Sequence, residues 1–104
     1  RLYEAGATGL VCGSDLMALG AIRQARSLGL SVPGDVSIVG YDDSPLIAHT
    51  DPPLTTLRQP VRPMALAAVR ALLDEIAGQA VPSTEYLFRP ELVVRASTGT
   101  ATTP

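Results

Sequence analysis

Hydrophobic positions along the chain alternate between short continuous runs and a longer stretch with helical spacing. Residues 8–13 form a short apolar run, and residues 14–29 follow with apolar side chains three and four positions apart. Residues 35–43 are a second, nearly continuous apolar run, typical of a strand buried on both faces of a parallel sheet. A strand, a helix and a strand in this order predict a βαβ unit.

The helix predicted over residues 14–29 has both a start and a stop signal. Ser14 or Asp15 suits the N-cap position, because a short polar side chain there accepts a hydrogen bond from a free backbone N–H. Gly29 suits the position just after the last turn, with Leu30 as the apolar residue that follows it. Pro33 then prevents the helix from continuing.

The second half of the chain alternates in the same way. The remaining predicted elements are a loop or helical turn over 44–53, a strand over 54–59, a helix over 60–78 and two strand candidates over 85–88 and 91–97. The helix carries a stripe of apolar residues at helical spacing, namely Leu66, Val69, Leu73 and Ile76. Gly78 suits its end. Helices that alternate with strands predict an α/β fold.

Composition is that of a globular protein with a slightly acidic balance. The chain of 104 residues is 46% hydrophobic and 17% charged, which suffices for one modest core. Eight arginines stand against ten acidic residues, for a net charge of −2, and this argues against a nucleic-acid or membrane surface on this segment. The single cysteine, Cys12, lies in an apolar run and is expected to be a small buried hydrophobe rather than a reactive thiol.

Glycines near the start of the chain raise the possibility of a phosphate-binding loop. A dinucleotide fingerprint needs its glycines after a strand and at the opening of a helix. Gly6 and Gly9 instead precede the first apolar run, and only Gly13 lies at the junction between strand and helix. The chain also has no lysine for a Walker motif. We therefore expect no nucleotide cofactor, and a nucleotide-dependent α/β enzyme remains an alternative.

Carboxylates, rather than glycines, follow the predicted strands. Asp15 comes after the first strand, and Asp42 and Asp43 come after the second. Because doubly wound sheets bind ligands beyond the carboxyl ends of their strands, Ser14 and Asp15 are expected to meet the aspartate pair at one crevice. Asp42 directly follows the buried run, where its carboxylate can accept hydrogen bonds from hydroxyls or amines. For Asp15 and Asp43, a structural role as a helix cap and a turn residue is an equal alternative.

Catalysis is the weaker hypothesis for these residues. A glycosidase needs two carboxylates that face each other across a bond, whereas Asp42 and Asp43 are adjacent and would point to opposite sides of an extended strand. The lone His49 and the lone Cys12 cannot assemble a familiar zinc site. We therefore expect no enzyme activity, no cofactor and no metal.

Four motifs in the same order resemble those of one bacterial protein family. They are "SDLMALGA", "VPGDVSIVGYDD", "PPLTTLRQP" and "LVVRAST". Together they are similar to the effector-binding region of LacI/GalR-type transcriptional regulators. The resemblance implies the type I periplasmic-binding-protein-like fold, a parallel-sheet α/β sandwich of two subdomains with the ligand between them, present here only as its C-terminal portion. It implies three segments, namely 1–59 in the C-terminal subdomain, 60–83 as crossover and helix of the N-terminal subdomain, and 84–104 as return strands and tail.

The resemblance also implies a small-molecule effector, a sugar or a related polar metabolite. The residues implied as its contacts are Ser14, Asp15, Asp42 and Gln59. The regulator is expected to act in the cytoplasm and to bind operator DNA through an N-terminal helix-turn-helix that this segment lacks. No contact with a membrane is expected. The alternative function is that of a periplasmic sugar-binding protein of a transport system, which shares the fold.

A homodimer is implied as well. The residues implied at its interface are Leu19, Ile22 and Arg23 in the first helix and Leu46, Ile47 and Thr50 in the loop after Asp42 and Asp43. For Leu19 and Ile22 the alternative is that they are core residues of a monomer.

Overall fold

The computed structural model describes residues 1–81 and 86–101, and its elements begin with the predicted βαβ unit. In chain order these are β1 (Gly9–Val11), α1 (Asp15–Ser27), β2 (Ser37–Val39), a 3₁₀ helix (Ile47–His49), β3 (Thr56–Arg58), α2 (Val61–Ile76) and β4 (Glu91–Val93). The strands are shorter than the apolar runs that predicted them. The strand candidate over 85–88 is wrong for residues 86–88, which form no strand, and residue 85 lies outside the described residues. Neither helix in the described ranges has the length and apolar character needed to cross a membrane.

The chain forms two compact units. The first unit is Arg1–Arg58 together with the residues from Leu92 onward, and the second is Gln59–Glu91. The segment predicted over 84–104 as one piece is therefore divided between the two units. The assignment of the segments to subdomains of a larger domain stays a prediction.

The sheet of the first unit has β2 at its centre. β1 and β2 are parallel, with Leu10 opposite Ile38. On the other side of β2, Val39 forms a parallel bridge with Thr55, and Gly40 donates its N–H to the carbonyl oxygen of Thr55 at 2.9 Å. The carboxyl ends of three adjacent parallel segments thus meet at one edge, which is the edge where α/β folds bind ligands. β3 and β4 form a second, two-stranded sheet.

The core of the first unit lies where α1 packs on this sheet. Its buried hydrophobic residues are Ala18, Ile22, Ala25, Val36, Ile38, Ile47 and Leu54. The members on α1 are three and four positions apart, which is the spacing of one helix face. The helical period in the sequence therefore corresponds to a buried face.

Both ends of α1 follow the signals in the sequence. Ser14 is the N-cap, because its Oγ accepts a hydrogen bond from the N–H of Met17 at 3.1 Å. Gly29 has a φ of 78°, and Leu30 donates its N–H to the carbonyl oxygen of Ala25 at 2.9 Å. This is the arrangement in which a glycine in the left-handed region closes a helix.

The second unit contains α2, and none of the residues of α2 is buried. The residues of the predicted apolar stripe are between 54% and 73% exposed. The half-buried positions are instead Ala67, Ala71 and Asp74, which line a depression beside Tyr86. The apolar stripe therefore has no cover within the described residues.

Candidate functional site

The residues predicted at the crevice meet at the carboxyl edge of the sheet in the first unit. Asp15 donates its backbone N–H to the carbonyl oxygen of Tyr41 at 3.1 Å. Ser14 directly precedes Asp15, and Asp42 directly follows Tyr41. A single backbone hydrogen bond thus joins the start of α1 to the turn that carries the aspartate pair.

Gly40 allows this close approach. A Cβ atom at Gly40 would meet Oδ1 of Asp15, would lie 2.9 Å from Cδ2 of Leu54 and would lie 3.2 Å from the Cα of Asp15. The two side-chain atoms would have to shift, and the backbone of Asp15 would have to give by a few tenths of an ångström. Glycine at this position therefore lets the start of α1 lie against the end of β2 without this crowding.

Asp15 is buried, with 3% of its surface exposed, and both of its carboxylate oxygens have protein donors. Oδ2 accepts the N–H of Ser44 at 2.6 Å, and Oδ1 accepts the hydroxyl of Thr56 at 2.7 Å. The carboxylate thereby ties α1 to the loop after the aspartate pair and to β3. The sequence had suggested a helix cap as its structural alternative, but the cap is Ser14. A direct ligand contact for Asp15 stays a prediction.

Asp42 and Asp43 form a turn with φ values of 111° and 57°. The expectation that they lie on an extended strand is therefore wrong, because both are in the range that residues other than glycine rarely adopt. The N–H of Asp42 donates to the carbonyl oxygen of Leu57 at 2.8 Å, and the N–H of Asp43 donates to Oγ1 of Thr56 at 3.3 Å. Asp42 is exposed at this turn.

The side chain of Asp43 is held by two arginines. Nε of Arg58 and Nη2 of Arg95 each donate to one of its oxygens at 2.7 Å. The hydrogen bond from Arg58, followed by that from Arg95, lowers the pKa of the Asp43 carboxyl below its usual value. Asp43 is therefore a firmly ionised group near neutral pH, and its partners lie on both sides of the second unit in the sequence.

Four residues of this network were not identified from the sequence. They are Ser44, Thr56, Arg58 and Arg95. A signal exists for Thr56 and Arg95, because a polar side chain that interrupts an apolar strand, as in "LTTLR" and "LVVRAS", needs a partner when it is buried. Arg58 is exposed and carries no such signal. The loop position of Ser44 carries no such signal.

Comparison with known proteins identifies the family. The model of the periplasmic binding protein-like domain matches residues 1–98. The transcriptional regulator MalR of Streptomyces coelicolor is 67% identical over 94 residues, which are 90% of this chain and 27% of MalR. The complex of the transcriptional regulator CelR with cellobiose superimposes with a TM-score of 0.84 at 38% identity, over 92% of this chain and 30% of that one. The structure of the lac repressor dimer bound to operator and the anti-inducer ONPF superimposes with a TM-score of 0.82 at 38% identity. The match covers 93% of this chain and 34% of that one.

The chain belongs to the LacI/GalR family. It lies in the periplasmic-binding-protein-like domain of that family, and the predicted α/β fold class is confirmed. It spans about a quarter of the length of the curated relative MalR. Gln59 is the first residue of the second unit, and its predicted ligand contact stays a prediction.

The residues predicted at the dimer interface fall into two groups. Ile22 and Ile47 are 4% and 2% exposed, so they have almost no area to offer a second chain, and the core alternative applies to Ile22. Arg23 and Leu46 are exposed. Leu19 and Thr50 are half-buried. Ile22 and Ile47 thus lie in the core of the first unit, and the interface assignment of the six residues stays a prediction.

A groove of about 340 Å³ lies between α1 and the loop after the aspartate pair. Its lining residues are Asp15, Leu16, Leu19, Ser44, Pro45, Leu46 and Ile47. Leu46 is 77% exposed at its rim. Apart from Asp15 and Ser44, the lining residues are apolar. Asp15 and Ser44 also belong to the hydrogen-bond network of the candidate site.

The described residues offer little for other chemistry. In residues 1–81 and 86–101, no group of three or more histidine, cysteine, aspartate or glutamate side chains is arranged to hold a metal ion. Cys12 packs against the core, and burial raises the pKa of its thiol. A thiol with a raised pKa is a poor nucleophile near neutral pH. This agrees with the expectation that Cys12 is a small hydrophobe.

Proposed function

We propose that this chain is the sugar-sensing part of a LacI/GalR-type transcriptional regulator and that it receives the effector at Ser14 and Asp42. The hydrogen bond from Asp15 to Tyr41 carries the proposal, because it brings the start of α1 beside the exposed turn of Asp42. The cellobiose complex of the relative CelR supports a sugar as the effector class. A transport protein is less well supported, since the named relatives are transcriptional regulators.

The chemistry of the proposed contact follows from the two side chains. Asp42 accepts hydrogen bonds from sugar hydroxyls, and each bond to a charged group contributes about 1.5–3 kcal/mol. Ser14 already accepts the N–H of Met17, so its hydroxyl proton is the group that it offers to a sugar oxygen. Asp15 holds the start of α1 from inside. The predicted contact of Gln59 with the effector stays a prediction.

Regulation follows from where the chain passes between its units. Arg58 ends β3, and Gln59 and Pro60 come next. A sugar that binds one conformation of this passage more tightly shifts the population toward that conformation, and the affinity for operator DNA changes with it. The operator is expected to bind to another segment of the protein, because this chain is slightly acidic and DNA carries negative phosphates. The regulator is expected to act in the cytoplasm. No enzymatic step is involved.

A second copy of the chain is the proposed occupant of the groove at Leu46. The lac repressor relative is a dimer, and an exposed apolar groove is a common feature of such interfaces. Leu46→Glu in the full-length protein is expected to convert the dimer into a monomer in sedimentation experiments. Leu2→Glu, at another exposed leucine outside the groove, is the control. A dimer that survives Leu46→Glu contradicts the assignment.

The decisive experiment uses the full-length protein, titrated with cellobiose, maltose and lactose and tested for release of DNA fragments that flank its own gene. Asp42→Ala is expected to abolish the sugar response and to leave DNA binding intact. Asp35→Ala is the matched control, because Asp35 is an exposed carboxylate of the same unit that bonds only to Ser31 in the hydrogen bonds described.

An unchanged sugar response in Asp42→Ala would contradict the assignment of Asp42 to the sugar site.

Titrations with NAD and ATP test the alternative of a nucleotide-dependent enzyme. Saturable micromolar binding of either nucleotide would favour a nucleotide-dependent enzyme instead.

A further inference from the structure

The turn of Asp42 and Asp43 has an unfavourable backbone conformation. Both residues have positive φ, at 111° and 57°, although neither is glycine. Residues are kept in such conformations only where the surrounding structure holds them, and these positions are frequent at ligand sites. The question is therefore what holds this turn.

Backbone hydrogen bonds hold the turn from one side. Asp42 donates to the carbonyl oxygen of Leu57 at 2.8 Å, Asp43 donates to Oγ1 of Thr56, and Ser44 donates to Asp15 at 2.6 Å. The Asp43 bond, at 3.3 Å, is the longest of the three. The backbone contacts are thus weakest at Asp43, the residue next to the proposed ligand carboxylate.

Charge holds the turn from the other side. The side chain of Asp43 is 13% exposed. Its Oδ2 accepts a hydrogen bond from Nε of Arg58 and its Oδ1 accepts one from Nη2 of Arg95, each at 2.7 Å. Arg95 is itself anchored, since its Nη1 donates to the carbonyl oxygen of Leu54 and its N–H donates to Oγ1 of Thr55, both at 2.9 Å. A carboxylate with both oxygens engaged on anchored donors cannot rotate freely.

We propose that Asp43 is a positioning residue, which fixes the backbone of the turn through Arg58 and Arg95 and thereby sets the direction of the Asp42 carboxylate. The inference rests on the proposed function, because it presumes that Asp42 contacts the sugar. It adds a requirement to that function: affinity for an uncharged sugar depends on an ion pair that the sugar does not touch.

Asp43→Asn in the full-length protein tests the proposal, with cellobiose, maltose and lactose as the probes. Asparagine keeps the size of the side chain and tolerates the left-handed backbone, so the change removes mainly the charge. The affinity of the sugar that binds is expected to fall about tenfold, a coupling typical of residues in one network. Asp35→Asn is the control and is expected to bind the sugar as the wild type does.

Salt distinguishes positioning from a general loss of structure. The affinity for an uncharged sugar does not depend directly on salt concentration. The ion pair between the half-exposed Arg58 and Asp43, in contrast, is screened as ionic strength rises. Between about 0.05 M and about 0.5 M NaCl, the wild-type affinity is expected to fall about two- to threefold, and that of Asp43→Asn to stay constant. Arg58→Gln is expected to lower affinity in the same way, and the double variant to lose little more than either single variant.

The outcomes separate this inference from the proposed function. If no disaccharide binds, or if Asp42→Ala binds normally, the proposed function fails and the inference fails with it. If Asp42→Ala loses binding while Asp43→Asn keeps the wild-type affinity and salt response, only the positioning role is overturned. Additive losses in the double variant overturn it as well. Should Asp43→Asn not fold, Arg58→Gln alone carries the test, with the same affinity loss and salt response required.

Discussion

α1 and α2 end in the same way. Gly29 after α1 and Gly78 after α2 have φ values of 78° and 76°. In both cases the next residue donates its N–H to a carbonyl oxygen five residues back, at 2.9 Å, from Leu30 to Ala25 and from Gln79 to Asp74. Locally, the ends of the two helices are equivalent.

Their surroundings are not equivalent. α1 buries residues on one face against the sheet, and Leu30, the residue after its closing glycine, packs against the same core. α2 buries none of its residues, and Gln79 after its closing glycine is polar and exposed. The same local signal thus ends both helices, but the burial of a helix depends on which other segments are present to cover it.

The largest expected effect comes from removing side-chain volume in the core. Ile38→Ala leaves a cavity at the centre of the sheet and is expected to lower the free energy of unfolding by about 2–5 kcal/mol. Leu73→Ala, on the exposed stripe of α2, is expected to cost less than about 0.5 kcal/mol in the 104-residue chain. Urea titration of both variants measures the difference.

The same pair of variants sharpens the comparison in the full-length protein. If the rest of the domain covers the α2 stripe, Leu73→Ala costs about 2 kcal/mol or more there. A small cost in both settings would mean that the stripe faces solvent throughout.

A smaller effect is expected from two glycines of the first unit, with opposite signs. Gly40→Ala crowds the side chains of Asp15 and Leu54 and the start of α1, and it is expected to lower the free energy of unfolding by about 1–3 kcal/mol. Gly20→Ala, inside α1 with open space around the new methyl group, is expected to stabilise by about 0.5–1 kcal/mol. Thermal unfolding of the two variants gives the signs directly. Equal shifts would contradict the close approach at Gly40.

The features of the first unit that depend on neighbouring residues could be predicted from the sequence. The period of α1, its cap at Ser14 and its stop at Gly29 are encoded in neighbouring residues, and two adjacent parallel strands bring their carboxyl ends together whatever their length. The partners of Asp43 were not predictable, because they lie 15 and 52 residues away in the sequence. The left-handed turn at Asp42 and Asp43 also has no pattern of its own, since tertiary contacts maintain it.

The smallest expected effect tests whether the two helix ends are truly equivalent. Gly29→Ala and Gly78→Ala place a Cβ atom in open space, so the only cost is that of an alanine in the left-handed region, about 1 kcal/mol in each case. Gly→Asn at the same positions is expected to cost less, because asparagine tolerates this backbone. Hydrogen exchange of the amides in the last turn of each helix measures the cost of the alanine and asparagine substitutions at each position.

The costs of Gly29→Ala and Gly78→Ala show whether packing contributes to the end of a helix. Gly29 is followed by Leu30 on a core and Gly78 by an exposed Gln79, so a tertiary contribution enters only at Gly29. Equal costs would mean that the closing glycine acts through backbone conformation alone. A cost at Gly29 larger by more than about 0.5 kcal/mol would mean that the packing of Leu30 is part of the stop signal, as in the hydrophobic contact that accompanies such helix ends. In that case the ends of α1 and α2 differ in energy despite their common geometry.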